Sequence, residues 1–553
     1  MSGQSGQVGP EPGRDPAPTP GKRAPAPGPA GAAAGTNRTL ALAAMMFAVA
    51  MTFIDQTIVA IAAPDITDEL GLTTSGIRWV VNAYLLALAA CFALGGRLAD
   101  IFGHRRITLI GTLIFVVASV LCGCVPAGDL AQAWMIVFRA VQGVGAALLF
   151  PAALAVVTAV FPVRRRGRAL ALFFGLSGAL TAIGPLIGGV LTAWTWRAIF
   201  WVNVPVALIA VVLTVLARIP DTGRRERLDI PGAALAALGM GLSVLGLQQA
   251  AEWGWASAAT WGCILAGAAL LVFFCWYELH VPDQPLIKLR VFRDRAFAVD
   301  TAVLFFAMLA FVPLFFFASV YAQVSLGKSP DEAALYLLYF FLGFVLASQA
   351  GGRMLDKRGA RPPLVAGSVL AAAGFALWAA RLTDLSIGAQ WPYVVLSGAG
   401  IGLLLAPAST DSVNRAIDAS YGEVTGITQT VRNYAAAVGL AVYGTVLSRI
   451  TVDRVTGTLE ERGVPDAVAG EAARGIAQAV AGHGGGRGPV AGEGPVGSAL
   501  RGAGDAIRRD FAEANQWVLY GMALALVAAF LCALAHPGTR VTEAGSGPTP
   551  TDG

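Results

Sequence analysis

Asp55 stands inside an apolar run from Leu40 to Ala62, and Arg139 inside another from Ala133 to Val157. A charged side chain at such a depth is costly in hydrocarbon, so each is a functional candidate by default. At about 1.5 Å of rise per residue, Asp55 lies roughly 22 Å along its run. Arg139 lies roughly 8 Å along a run of the opposite direction, so the two reach a similar depth. A carboxylate in that setting can take up and release a proton as its surroundings change. The guanidinium stays charged and can bias or gate that proton. Gln142, one turn beyond Arg139, is its hydrogen-bonding neighbour. A static ion pair would need the same residue types, and the sequence leaves both roles open.

A second candidate is written twice. GGRLADIFGHRR at 95–106 and GGRMLDKRGAR at 351–361 share Gly-Gly-Arg-x-x-Asp-x-x-Gly-x-Arg at an offset of 256 positions. Gly96, Gly103, Gly352 and Gly359 let helix ends approach closely. Asp100 and Asp356 can accept hydrogen bonds from the N-terminus of a neighbouring helix, and Arg105 and Arg106 hold charge at the membrane face. A basic turn would explain one copy; two in register point to a duplicated conformational element.

The elements that must position these residues follow from composition. Of 553 residues 56% are apolar and 13% charged, against about 25% charged in soluble domains. Lipid is therefore the solvent. Fourteen apolar runs are each near the length of a bilayer crossing: 40–62, 77–96, 107–125, 133–157, 168–191, 198–217, 230–250, 259–278, 297–321, 333–351, 363–380, 391–410, 424–447 and 515–535. The six cysteines sit mostly alone in these runs and make neither a disulfide nor a zinc framework. Four scattered histidines leave little for a metal, and the net charge of +5, confined to short loops, is no nucleic-acid signal.

Charge sets the orientation. With the N-terminus inside, the inner loops and tails hold 25 Lys and Arg, whereas the short outer loops hold Arg78, Arg197, Lys328 and Arg381. The positive-inside rule then puts both termini in the cytosol. The expected organisation is an all-α polytopic protein of two six-helix bundles. Residues 1–38 form a disordered cytosolic tail, 39–218 the first bundle, 219–296 an inserted helix pair with linkers, 297–536 the second bundle, and 537–553 a cytosolic tail. Within the second bundle, about 449–514 reads as a long extracellular loop or amphipathic hairpin. Parallel halves related by an axis along the membrane normal are the mark of a rocking transporter.

Several stretches resemble the major facilitator superfamily and, within it, the fourteen-helix drug–proton antiporters (EmrB/QacA type). These are GRLADIFGHRR at 96–106, FIDQTIVAIAAP at 53–64, FRAVQGVGAA at 138–147, GLSGALTAIGPLIGGVL at 175–191, WRAIFWVNVP at 196–205 and PLIKLRVFRDRAFA at 285–298. The resemblance covers about 39–450 and the last helix. It implies the major facilitator fold, proton-driven export through the cytoplasmic membrane and a gating role for Gly184, Pro185, Gly188 and Gly189. Physics alone allows those residues a kinked hinge or mere close packing.

A cargo pocket is harder to place. FFAMLAFVPLFFF at 305–317 includes Phe305, Phe311 and Phe315, and aromatic walls suit bulky amphipathic ligands. Lipid-facing phenylalanine reads the same way. Asn82, Tyr84, Asn203, Gln429, Arg432, Asn433 and Tyr434 are polar contacts for cargo or glue between helices. Asp300 and Asp411, near inner helix ends, are expected to face water.

No nucleotide-binding loop appears: in LGKSP at 326–330, Ala322 replaces the first glycine. The reading is a transporter, not an enzyme, without cofactor or ATP, working as a monomer on protons and a small amphipathic substrate. Its rivals are a proton symporter for a polar nutrient and a non-transporting sensor or scaffold. Cysteines placed at Gly223 and within 451–510 should label from opposite sides with an impermeant thiol reagent. Labelling of both from one side would remove the fourteen-crossing map, which puts seven crossings between them.

Overall fold

The computed structural model describes Gly3 and residues 36–221, 223, 227–282, 284–415, 421–481 and 503–538. The expected tails at 1–38 and 537–553 lie largely outside the described residues. Among the described residues there is no strand. The helices are α1 (Arg38–Leu70), α2 (Thr74–Phe102), α3 (His104–Gly123), α4 (Ala131–Val160), α5 (Val163–Trp194), α6 (Ala198–Trp201) and α7 (Asn203–Leu216). There follow α8 (Ile230–Trp253), α9 (Ala258–His280), α10 (Arg295–Val324), α11 (Pro330–Arg358), α12 (Arg361–Ala379) and α13 (Ile387–Asn414). The last are α14 (Tyr421–Glu460), α15 (Asp466–Ala481) and α16 (Gly504–Leu534).

Among the described residues thirteen helices are long and apolar enough to cross a membrane. In addition α5 is an unbroken helix of 32 residues, and its stretch 169–194 contains no Asp, Glu, Lys or Arg. Every apolar run of the sequence is thus helical. Most helices extend a turn or more beyond their runs, because polar caps carry them into the interface. Asn37 Oδ1 accepts the Leu40 N–H at 3.2 Å to start α1. Ser329 and Glu332 form a reciprocal capping box on α11. Run 198–217 differs: it is split at Val202 into α6 and α7.

The two halves repeat one packing scheme. In the first half α4 packs on α2 and α3; in the second, α13 packs on α11 and α12. A Cβ on Gly143 would lie 2.4 Å from the Tyr84 carbonyl oxygen, and one on Gly398 would lie 1.9 Å from that of Phe340. Positions 84 and 340 are 256 apart, the offset of the repeated phrase. Gly111 and Gly367, also 256 apart, would each put a Cβ 2.7 Å from a backbone nitrogen, those of Leu149 and Leu404. Without a hydrophobic drive between helices in lipid, such backbone contact is a main source of association. The halves meet where α11 lies on α5 and where α14 lies on α2 and α4, while α8 and α9 form a hairpin against α2 and α14.

The segment expected as a long loop or amphipathic hairpin is largely helical where it is described. The helix of α14 continues to Glu460, and α15 packs on it. Val455, Leu459, Ala469, Ala473, Ile476, Ala503 and Ile507 make a small core there, tied by Thr458 Oγ1 donating to Asp510 Oδ2 at 2.6 Å. The alanines of this stretch are strong helix formers, and Ala469, Ala473 and Ile476 recur on one face.

Gly398→Val should destabilise the purified protein by about 3 kcal/mol, the upper range for overpacking. Gly444→Ala, where an added methyl meets no atom within 4 Å, should be near neutral. Thermal unfolding in detergent checks both, and equal midpoints for the two variants would contradict the packing argument.

Candidate functional site

Helices α1, α2 and α4 bring the intramembrane charges together. Arg139 Nη1 donates to Asp55 Oδ2 at 2.5 Å and to Gln142 Oε1 at 2.7 Å. Gln142 Nε2 closes the ring by donating to Asp55 Oδ1 at 2.9 Å. Arg139 Nε donates to the Val80 carbonyl at 3.2 Å, and the guanidinium lies 4.5 Å from the Tyr84 ring centroid. None of Asp55, Arg139, Gln142 and Tyr84 is more than 1% exposed. Gln142 sits one helical turn from Arg139, so α4 presents both polar groups to one carboxylate on α1. Both carboxylate oxygens are engaged and the guanidinium has its counter-ion, the conditions a buried pair needs. Chemically, the ring is one carboxylate with a permanent cation and a neutral amide that can both donate and accept. Tyr84, offered by the sequence as a cargo contact, is instead packed under this ring and closed off from solvent.

Each copy of the repeated phrase packs against a helix of the opposite half, α14 for the first and α5 for the second. Asp100 Oδ1 accepts the Gly422 N–H at 3.1 Å and Oδ2 accepts the Glu423 N–H at 2.7 Å, both from the first turn of α14. His104 Nε2 lies 2.9 Å from Asp100 Oδ1. Asp356 lies against Gly167, the fifth residue of α5. A carboxylate at a helix N-terminus satisfies donors that have no partner within the helix and meets the positive end of its dipole. Glycine permits the approach: a Cβ on Gly96 would lie 2.2 Å from the Gly422 carbonyl oxygen, and one on Gly352 2.6 Å from that of Gly167. Gly103 and Gly359 end α2 and α11 with φ of 101° and 83°, a backbone that side-chain-bearing residues rarely adopt. Arg106 Nε pairs with Asp221 Oδ2 at 2.6 Å, and the Arg105 side chain is half-buried.

Arg166 belongs to the same seam and was missed in the sequence, where its basic run counted only towards orientation. Its guanidinium donates to Asn414 Oδ1 at 3.1 Å and to the Tyr421 hydroxyl at 2.9 Å, and stacks on the Tyr421 ring. It thereby joins the start of α5 to the end of α13 and the start of α14. Glu423 Oε1 also accepts the Lys288 N–H, fixing the linker after α9 to the same point.

At the opposite end of the first half, the WRAIFWVNVP stretch clamps the end of α1. Trp196 Nε1 donates to Glu69 Oε2 at 2.6 Å, and Arg197 donates to Oε1. Hydrogen bonding to Arg197 first, and to Trp196 second, holds the Glu69 carboxyl below its ordinary range. Asn203 is spent in this corner too. Its Nδ2 donates to Ser119 Oγ at 2.9 Å, and Ser119 donates to the Phe200 carbonyl at 2.8 Å. It is glue between α3 and the α6–α7 break.

The remaining cargo candidates do not converge on one cavity. Phe311 stacks on Phe344 with centroids 5.5 Å apart, and Phe315 on Phe341 at 5.2 Å, so these rings form a ladder between α10 and α11. Phe305 pairs edge-on with its neighbour Phe306. Tyr434 packs beside the cluster of Met240, Val244 and Leu247 on α8, and Asn82 is half-buried on α2.

Gln429 and Arg432 are different. Arg432 Nη1 donates to Gln429 Oε1 at 2.7 Å, and the guanidinium lies 5.1 Å from the ring of Phe174 on α5, in the other half. Among the described residues Arg432 makes no ion pair with a carboxylate. Gly184 and Gly188 are buried and Gly189 exposed on α5, whereas the side chain of Pro185 lies outside the described residues. Asp300 and Asp411, expected to face water, are instead 0% and 3% exposed. The turn that ends α16 places His536 Nε2 within 3.5 Å of Asp300 Oδ1 and 3.3 Å of Asp411 Oδ2.

Comparison with known proteins fits this geometry. Residues 45–440 match the Major Facilitator Superfamily. The cephamycin export protein of Amycolatopsis lactamdurans is 35% identical over 405 residues, 71% of this chain and 81% of that protein. The tetracenomycin C resistance and export protein of Streptomyces glaucescens is 32% identical over 410 residues, 74% of this chain and 75% of that protein. The puromycin resistance protein of Streptomyces alboniger is 34% identical over 418 residues, 74% and 82% of the two chains. A solved proton:xylose symporter shares the fold at a TM-score of 0.54 and 14% identity, over 74% of this chain and 88% of that one. With two halves packed alike, a phrase repeated at their seam and this match across most of its length, the chain belongs to the major facilitator superfamily.

Proposed function

We propose that this protein is a proton-coupled antiporter that exports amphipathic drugs or antibiotics across the cytoplasmic membrane, with both termini in the cytosol, and so gives resistance. The buried ring of Asp55, Arg139 and Gln142 carries the proton part of this reading. The export direction and the cargo class are supported by the relatives, whose names specify export of cephamycin and export of or resistance to tetracenomycin C.

The ring gives the coupling a physical form. With Asp55 ionised, Arg139 has its counter-ion and α1 is held to α4. Protonation of Asp55 removes that charge and leaves a buried guanidinium short of a partner, a state several kcal/mol less favourable unless the helices rearrange, on the order of 3–5 kcal/mol. Proton uptake thus biases the packing of the first half, and movement of that half exchanges one open face for the other. The contacts of Asp100 with α14 and of Asp356 with α5 hold the halves together on the face of the repeats. Each hydrogen bond to a charged group contributes about 1.5–3 kcal/mol, so opening that face costs an amount a proton or cargo can offset.

Cargo would bind between the halves, where Phe174 of one faces Gln429 and Arg432 of the other. An acidic group on the cargo would supply the counter-ion that Arg432 lacks.

The test uses everted membrane vesicles with an imposed pH gradient and puromycin, tetracenomycin C, a cephamycin and ethidium as cargo. Accumulation of at least one compound that collapses with a protonophore is expected. Import of a polar nutrient, or no gradient-dependent flux for any compound, would contradict the reading. Asp55→Asn keeps size and hydrogen-bonding capacity but cannot titrate. It should abolish uphill accumulation while cargo binding remains measurable. Arg139→Lys keeps the charge and loses the planar fork, so coupling should fall with it.

A second prediction comes from the seam. Asp100→Asn should lower the transport rate while the protein still folds and inserts and cargo affinity is retained, because it weakens a contact of one conformation. A collapse of cargo affinity with normal conformational exchange would contradict the gating role.

A further inference from the structure

One buried cluster plays no part in the mechanism above. Asp300 near the start of α10, Asp411 and Arg415 near the end of α13, and His536 beyond the end of α16 come together where three helices of the second half terminate. Donor atoms of Asp300, Asp411 and His536 all lie within 4.8 Å of one another. Asp300, Asp411 and His536 are 0%, 3% and 1% exposed. Arg415 Nε donates to Asp411 Oδ2 at 2.5 Å.

The histidine fixes the count of protons. Its Nδ1 accepts the Gly538 N–H at 3.0 Å. A ring nitrogen that accepts carries no hydrogen, so His536 is neutral here and bears its proton on Nε2. That nitrogen lies 3.3 Å from Asp411 Oδ2 and 3.5 Å from Asp300 Oδ1. The same hydrogen bond argues against a metal centre, because a ligating histidine donates its other N–H to a partner, and this one accepts. Two carboxylates, one guanidinium and a neutral imidazole leave one unbalanced negative charge in a buried site, which is expensive. Asp411 has its cation. Asp300 does not: both of its oxygens are buried without a hydrogen-bond partner. A proton on Asp300 removes the excess charge and makes one of those oxygens a donor towards the neighbouring carboxylate, the arrangement of a carboxyl pair that shares one proton.

We propose that Asp300 is a second proton-binding site, a carboxylic acid that shares its proton with Asp411 and fastens the end of α16 to α10 and α13. Among the described residues the other charged groups at these helix ends include Asp294, which caps α10, Arg295, its first residue, and Arg361, whose side chain packs on Gly538. The site lies in the half opposite Asp55 and needs no cargo, so it stands or falls separately from the export reading.

Infrared spectroscopy of the full-length protein in lipid nanodiscs at neutral pH tests it through the carbonyl stretch of protonated carboxyl groups. The wild type minus Asp300→Asn difference should contain one such band, and Asp300→Glu should move that band instead of abolishing it. If the asparagine variant fails to insert, the glutamate variant alone carries the test. A protonated-carboxyl region unchanged by either substitution in folded protein overturns the proposal. So does loss of the band from wild type on adding equimolar zinc with a rise in thermal stability, which would make the cluster a metal site.

Discussion

A charge inside hydrocarbon must bring its counter-charge with it, and most of this protein's functional geometry follows from that requirement. Asp55 is affordable in α1 only because α4 aims Arg139 and Gln142 at it from one face. The polar groups of the ring are used on one another. A change of one proton there cannot be absorbed by solvent and must be absorbed by helix packing. On the proposed reading, that is how a single carboxylate acts on a whole bundle. The same requirement explains the second half, where Asp411 has Arg415 and Asp300 is left to be neutralised by other means. Arg432, with an amide and an aromatic ring for company, is the charge whose partner is best supplied from outside the chain.

Movement needs the opposite property, contacts that are firm in one state and separable in another. The seam between the halves is built from backbone. Glycine faces glycine where α2 meets α14 and where α11 meets α5, and an aspartate from one half caps a helix of the other. Such contacts depend on close approach and are lost together when the helices separate by an ångström or two. On the proposed reading they form an interface with two positions instead of a gradual slope. Arg166 adds a third link across the seam. Because the scheme is duplicated, opening one face involves both halves in equivalent ways.

Much of this was legible in the sequence. The depth match between Asp55 and Arg139 follows from counting residues. The repeat offset of 256 identifies the equivalent glycines and aspartates before any coordinates, and the apolar runs mark the helices. What was not legible has physical reasons. Asp300 and Asp411 read as interfacial because they lie near helix ends; that the end of α16 brings His536 against both cannot be counted from a run. Asn203 read as a cargo contact because nothing local reveals that Ser119, on another helix, will take its amide. Arg166 was hidden in a basic cluster whose charge explained orientation well enough. The alanine-rich stretch after α14 left a loop and an amphipathic hairpin both open, because its apolar face is built mostly from alanines; where described it is helical, with a small core.

The account depends most on Asp55 being the group that exchanges its proton for cargo. The direct measurement is proton release from purified, weakly buffered protein on adding a cargo compound found in the vesicle assay, with binding followed in the same samples. Wild type should release protons in step with binding, and Asp55→Asn should bind the compound without release. Undiminished release from Asp55→Asn would place the exchanged proton elsewhere in the molecule and contradict the account.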